Sequence, residues 1–164
     1  MNLINRALLP AALLALVVGT ALAGDDPVAD PGPLPAAQFN ISEFKGHVVL
    51  VDFWASWCEP CKASLPWLNT MQQKYGAKGL QVIMINLDKN VTAAEKMSGD
   101  IDDGIRQFLD PEGELATRFE LEGMPSTFLY DRSGKLISSH VGFLKADGLK
   151  REQGIVTALE KEEH

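Results

Sequence analysis

The sequence predicts an α/β domain with a central mixed β-sheet flanked by helices. Two apolar, β-branched runs, HVVLVDFW (47–54) and QVIMIN (81–86), enclose a stretch with helical spacing at 60–75, which makes a βαβ unit. A second pair of strand-like runs, 126–130 and 136–141, is joined by Asp131-Arg132-Ser133-Gly134, a hairpin signal, and a last helical stretch follows. With 164 residues, 46% of them hydrophobic and 23% charged, the chain suffices for one soluble domain with its own core.

The N-terminal residues differ from the rest. Met1–Arg6 carries one positive charge, Leu8–Ala23 carries none, and Ala21-Leu22-Ala23 precedes Gly24-Asp25-Asp26. This is the pattern of a secretory signal at 1–23, cleaved after Ala23. A membrane anchor is the competing reading. The uncharged run contains Pro10 and is only 16 residues long, short of the ~20 that a spanning helix needs. No cysteine follows the cleavage site, so a lipid-modified N-terminus is not indicated. Residues 24–37 hold four prolines and three aspartates and read as a flexible linker, with the domain at 38–164. The formal net charge is −7, and loss of Arg6 makes it more acidic. That balance argues against nucleic acid and anionic membrane surfaces as partners. Export implies an oxidising compartment, the periplasm, where a thiol pair is either structural or actively managed.

The elements follow in order. His47–Trp54 is apolar except at Asp52, as expected of a strand buried on both faces. Pro60–Tyr75 places Leu65, Leu68, Met71 and Tyr75 on one helical face, with Pro66 inside it as a kink and Gly76 and Gly79 as its stop. Gln81–Asn86 is the next buried strand. Val91–Met97 and Glu114–Phe119 have helical character, while 99–104 is acidic and turn-like and 110–113 is a turn. Glu95, Asp100, Asp102 and Asp103 read as a solvated acidic face and not as a metal site. Ser126–Tyr130 and Leu136–Val141 are the hairpin strands, and Gly148–Lys161 the closing helix. There is no internal repeat.

Cys58 and Cys61 are the only cysteines, two residues apart in FWASWCEPCK. As a staple the pair is poor, because a loop of about four residues gives roughly 2 kcal/mol against ~4.7 for about 100. Structural zinc needs a second ligand pair, and His47, His140 and His164 supply none. Lys62 after Cys61 excludes the haem-attachment pattern. Copper(I) held by two thiolates stays open. A redox pair fits the placement best. Cys58 would start a helix whose positive end stabilises a thiolate, Cys61 would lie one turn in, and Pro60 costs nothing in a first turn.

VDFWASWCEPCK resembles the active-site segment of the thioredoxin superfamily. Pro66 matches that family's helix-kinking proline, and GMPSTF (123–128) its cis-proline loop, with Pro125 as the cis residue. The lead-in FKGHVVLVDFWASWC and the stretch GMPSTFLYDRSGKLISSHVG are most similar to the TlpA/ResA-like bacterial envelope thiol–disulfide oxidoreductases. The resemblance covers about 38–160 and implies a thioredoxin fold. The 64 residues from Cys61 to Pro125 imply a helix-containing insertion, placed at about 88–112.

The resemblance also implies roles. Cys58 is the attacking nucleophile, and Cys61, more buried and less acidic, releases the captured partner. The redox-active disulfide serves in place of a cofactor, and no metal is required. Asp52, a lone carboxyl in a buried strand, should have a raised pKa and suits the role of taking a proton from Cys61. Many relatives of this branch carry Asn there and Glu three residues after the second cysteine; this chain has Asp52 and Ser64. Met124 and Pro125 would offer backbone to an extended substrate segment, with Trp57, Glu59 and Pro60 beside Cys58. Glu59 either disfavours the thiolate, making the pair a stronger reductant, or is a solvated helix-start carboxylate. Trp54 is expected in the core and Trp67 in helix packing. The implied partners are disulfides of exported proteins, of the apocytochrome c or copper-site type, and a membrane thiol transporter as reductant, around a monomer. An oxidase or isomerase using the same cysteines, a copper metallochaperone and a thiol peroxidase are the rival readings.

Overall fold

A computed structural model of the chain describes residues 33–161. The signal segment expected at 1–23 and most of the linker lie outside them. The elements are β1 (Leu34–Pro35), β2 (Val48–Trp54), α1 (Glu59–Tyr75), β3 (Leu80–Asn86), α2 (Val91–Ser98), β4 (Arg106–Leu109), α3 (Glu114–Arg118), β5 (Ser126–Tyr130), β6 (Leu136–Val141) and α4 (Gly148–Glu160), linked in places by 3₁₀ turns. The strands form one sheet in the order β1-β4-β3-β2-β5-β6. β1 runs parallel to β4, β4 to β3 and β3 to β2. β5 is antiparallel to β2, and β6 to β5. This is the predicted mixed sheet.

Every residue of β2 is buried, and the pleat divides its side chains between two cores. Val48, Leu50 and Trp54 pack with Leu65, Leu68 and Met71 of α1 and with Ile155 and Ala158 of α4. Val49, Val51 and Phe53 face the opposite core, with Ile83, Ile85, Phe108, Leu115 and Phe39. Helices therefore cover both faces, which is why β2 and β3 read as continuous apolar runs.

Pro66 lies within α1 as expected. The helix runs into a 3₁₀ turn that ends at Gly79, whose φ of 97° suits glycine. A side chain there would also meet the Arg132 guanidinium, 2.8 Å from a Cβ position. Arg132 donates to the carbonyls of Gly46 (2.6 Å) and Lys78 (3.3 Å), tying the hairpin turn to the start of β2 and the end of α1.

Two stretches hold structure that was not foreseen. The linker drawn to residue 37 runs too far, because Leu34 and Pro35 pair with Phe108 and Leu109 and residues 36–38 form a 3₁₀ turn that delivers Phe39 into the core. An edge strand tolerates a proline, so proline density did not mean absence of structure there. The expected insertion at about 88–112 contains α2 and also β4, which was not foreseen and which joins the sheet between β3 and β1. β4 has four residues and buries only Phe108, too short an alternation to read. The turn at 110–113 is built by Asp110, whose buried carboxylate accepts from the amides of Glu114 (2.8 Å) and Ala116 (2.9 Å) and so caps α3.

Phe53 is fully buried, with edge contacts to Phe119 and Phe128 at 5.0 and 5.9 Å between ring centroids. Phe53→Ala is expected to cost about 3–5 kcal/mol, read as a lower urea midpoint with an unchanged slope.

Candidate active site: a disulfide at the head of helix α1

Cys58 and Cys61 form a disulfide, with their Cα atoms 5.3 Å apart. β2 ends at Trp54, and the amide of Cys58 donates to the Ala55 carbonyl (3.1 Å), closing a tight turn. Cys58 is the N-cap of α1, and its carbonyl accepts from Cys61 (3.1 Å) and Lys62 (3.2 Å). The Cys58 side chain caps no helix amide, so its sulfur sits at the positive end of the helix without neutralising it. Cys58 is 6% exposed and Cys61 2%.

The turn before Cys58 is held from β3. Asp88, buried, accepts from the Ser56 amide (2.9 Å), the Ser56 hydroxyl (2.9 Å) and the Asn86 side-chain amide (2.8 Å). The Leu87 amide donates to the Trp54 carbonyl at 2.9 Å. Asp88 was missed at the sequence level. Its only signal is a second polar residue, after Asn86, closing an apolar strand.

Three of the expected substrate residues, Trp57, Glu59 and Pro60, lie at the surface beside the disulfide. Trp57 is 66% exposed and presents a flat apolar face beside Cys58. Pro60 occupies the first turn of α1. Glu59 is exposed and pairs with Lys62 at 2.6 Å, so its charge beside Cys58 is opposed by a cation one helical turn on. Trp54 is in the core, and Trp67 packs against it, 6.0 Å from the Phe143 ring. Ser64 is buried and donates to the Cys61 carbonyl (2.8 Å), so it adds no charge beside the second cysteine.

The peptide between Met124 and Pro125 is cis. Pro125 is buried, and Met124 packs against the core cluster that contains both cysteines. The Pro125 carbonyl accepts from Gly142 at 2.7 Å, and the Ser126 hydroxyl donates to the Gly123 carbonyl at 2.7 Å. Among the described residues, no hydrogen bond uses the peptide groups of Met124, so they are free to pair with a bound strand.

Asp52 lies on the β2 face shared with the cysteines, by alternation with Leu50 and Trp54. It is fully buried, and among the described residues neither carboxylate oxygen has a hydrogen-bond partner. Burial raises its pKa well above the ordinary carboxylate range, with Arg151 pulling the other way. Arg151 was not singled out from sequence. The acidic stretch at 95–103 is not simply solvated: Asp102 accepts from the Gln73 side chain (2.8 Å) and the Gly104 amide (3.0 Å), bracing a turn against α1. Among the described residues, no group of three or more His, Cys, Asp or Glu side chains could hold a metal ion.

These features are those of a thioredoxin-fold redox protein, and comparison with known proteins gives the family. A family model described as Redoxin matches residues 28–159, and the chain belongs to that family. Its place in the thioredoxin superfamily is TlpA/ResA-like. The thiol-disulfide oxidoreductase ResA of Bacillus thuringiensis is 29% identical over 109 residues, which is 66% of this chain and 63% of that protein. The match thus spans less than two thirds of the length of such relatives. A crystal structure from Chlorobium tepidum, assigned as a thiol:disulfide interchange protein DsbE, is 45% identical, with a TM-score of 0.69 over 73% of this chain and 84% of that one. An exposed lipoprotein thioredoxin from Streptococcus pneumoniae is 27% identical, with a TM-score of 0.58 over 71% and 90%.

The raised pKa of Asp52 links stability to pH. The unfolded chain ionises Asp52 in the ordinary aspartate range, while the folded protein holds the proton to higher pH. Stability is therefore full at acid pH and falls as pH rises through the folded value. Asp52→Asn removes this loss. The variant should gain on the parent by about 1.4 kcal/mol per pH unit across that window, and the difference should be flat below it. Denaturant titrations of both proteins over a pH series check this.

Proposed function

We propose that this protein is an exported, periplasmic thiol–disulfide oxidoreductase that reduces disulfides in other exported proteins. The observation that carries the reading is the Cys58–Cys61 disulfide at the N-terminus of α1, in one packed cluster with Met124 of the cis-proline loop. The names of the relatives, thiol-disulfide oxidoreductase and thiol:disulfide interchange protein, support the reaction class. Export rests on the signal pattern at 1–23.

In the reduced protein the Cys58 thiolate, stabilised by the helix end, attacks a partner disulfide. One sulfur of the partner joins Cys58 in a mixed disulfide, and the other leaves as a thiolate and takes up a proton. Asp52 as carboxylate then accepts the Cys61 proton. The Cys61 thiolate attacks the Cys58 sulfur, forming the disulfide seen here and releasing the second partner thiolate, which is protonated in turn. Two electrons and two protons pass from the dithiol to the partner. Trp57 and the free peptide groups of Met124 hold the partner segment extended across Cys58. A membrane thiol transporter returns the pair to the dithiol, and apocytochrome c haem-site cysteines or a copper-site assembly factor are the targets that the family likeness favours. The protein acts as a monomer, with the disulfide as its only redox group.

Cys61→Ser is expected to leave the partner on Cys58 as a mixed disulfide, trapped on a non-reducing gel. Cys58→Ser should neither trap partner nor reduce a model disulfide above the uncatalysed rate. The reduction potential, from glutathione or dithiothreitol equilibration, sets the direction. A value near roughly −270 mV is expected for a reductant, and one of roughly −120 to −180 mV would make the protein an oxidant or isomerase.

A further inference from the structure

Four buried side-chain polar atoms lack a hydrogen-bond partner among the described residues: both carboxylate oxygens of Asp52, Nε1 of Trp67 and Nε of Arg151. All belong to the side of the sheet covered by α1 and α4. Arg151 is half-buried where α4 crosses β5. Its Nη1 donates to the Thr127 hydroxyl at 3.3 Å and its Nη2 to the Gly142 carbonyl at 2.8 Å. Thr127 is the residue directly opposite Asp52 in the β2–β5 ladder, and its neighbour two along, Leu129, lies in the core on this face. Gly142 in turn donates to the Pro125 carbonyl. The guanidinium is thus fastened at two points, one at Thr127 beside the buried acid and one at Gly142, which is itself bonded to the cis-proline loop, and its Nε is left over. A cavity of about 260 Å³ adjoins it, lined among others by Leu50, Trp67, Thr127, Leu129 and Ile155.

We propose that Arg151 is the positioning residue for Asp52, the fixed counter-charge that keeps part of this buried carboxyl ionised so that it can accept the Cys61 proton. The inference rests on the role given to Asp52 in the proposed function. β3 places Met84 opposite Asp52, and the buried residues of α1 on this face are Cys61, Ser64, Leu65, Leu68 and Met71, none of them a cation. Arg151 is the charge that acts on Asp52, lowering its pKa against the effect of burial. Asp52 and Asp147 in turn support the charge of Arg151 against desolvation. The other titratable groups near the guanidinium are Lys150 of α4 and His140 of β6, whose pKa burial lowers. Without Arg151, Asp52 would be a buried acid with no compensation and would stay protonated.

The test is a carbon-13 NMR titration of the Asp52 carboxyl in the whole reduced protein, for the parent, Arg151→Met and Arg151→Lys. Removing the charge should raise the Asp52 midpoint by about one pH unit or more, and lysine should restore most of the difference. An unmoved midpoint in Arg151→Met overturns the proposal. If that variant does not fold, Arg151→Gln gives the same comparison. Release of a preformed mixed disulfide is then followed against pH. At any pH below the midpoint, Arg151→Met should slow release about tenfold for each pH unit by which the midpoint rises. It should add nothing in an Asp52→Asn background. Equal slowing with and without Asp52 would mean that Arg151 acts through packing alone and would overturn the proposal. An unchanged release rate in Asp52→Asn by itself would overturn the acceptor role of Asp52, while the titration would still decide whether Arg151 is its counter-charge.

Discussion

Every residue of strand β2 is buried, and that burial is the condition on which the rest of the molecule depends. It requires cover on both faces, so the chain must supply α1 and α4 on one side and α3 with the Phe39 segment on the other. It forces the neighbours to pair along nearly the whole strand, β3 parallel and β5 antiparallel. It also leaves a carboxyl at Asp52 no route to solvent through its own strand. The same strand ends at Trp54 and hands the chain directly to the turn that starts α1. Core and chemistry therefore share one element, and a fault in β2 would disturb both.

The antiparallel placement of β5 brings the two halves of the site together. Ser126 is paired with Phe53, so the cis peptide just before it falls next to the end of β2 and the disulfide beyond. Neither half is free to drift. The Asp88 carboxylate fixes the segment leading to Cys58, and the Gly142 amide fixes the carbonyl of Pro125. The Asp88 carboxylate is buried and multiply bonded, an arrangement that rigidifies when fully satisfied.

Much of this could be read from the chain. β2, α1, β3 and β5 announced themselves because each buries enough residues to show its period, β6, which buries none, showed through the turn before it, and the cysteine spacing with its helix start pointed to redox chemistry. Asp52 stood out as the one charge in an apolar strand. β1 and β4 were illegible because two and four residues are too few to establish a pattern, and because their stability comes from pairing with strands distant in sequence. Asp88 and Arg151 went unseen for a related reason. A polar residue at a strand end or on a helix usually faces water, and only the tertiary fold shows that these do not. Arg151 did leave a trace. Gly148, Ile155 and Ala158 are the buried positions of α4, and Arg151, three after the first and four before the second, falls on the same stripe.

The bracing of the segment before Cys58 bears on what the protein can grasp. Since Ser56 is anchored through both its amide and its hydroxyl to a buried carboxylate, the rim that carries Trp57 offers little give to a visitor. Conformational adjustment then falls to the other molecule, and ordering it draws on the energy of contact. Under the function proposed above, such a mouth would favour cysteines borne on loose chain, at termini or in regions not yet folded, over those locked inside finished domains. Selection among clients would follow from their mobility as much as from their sequence.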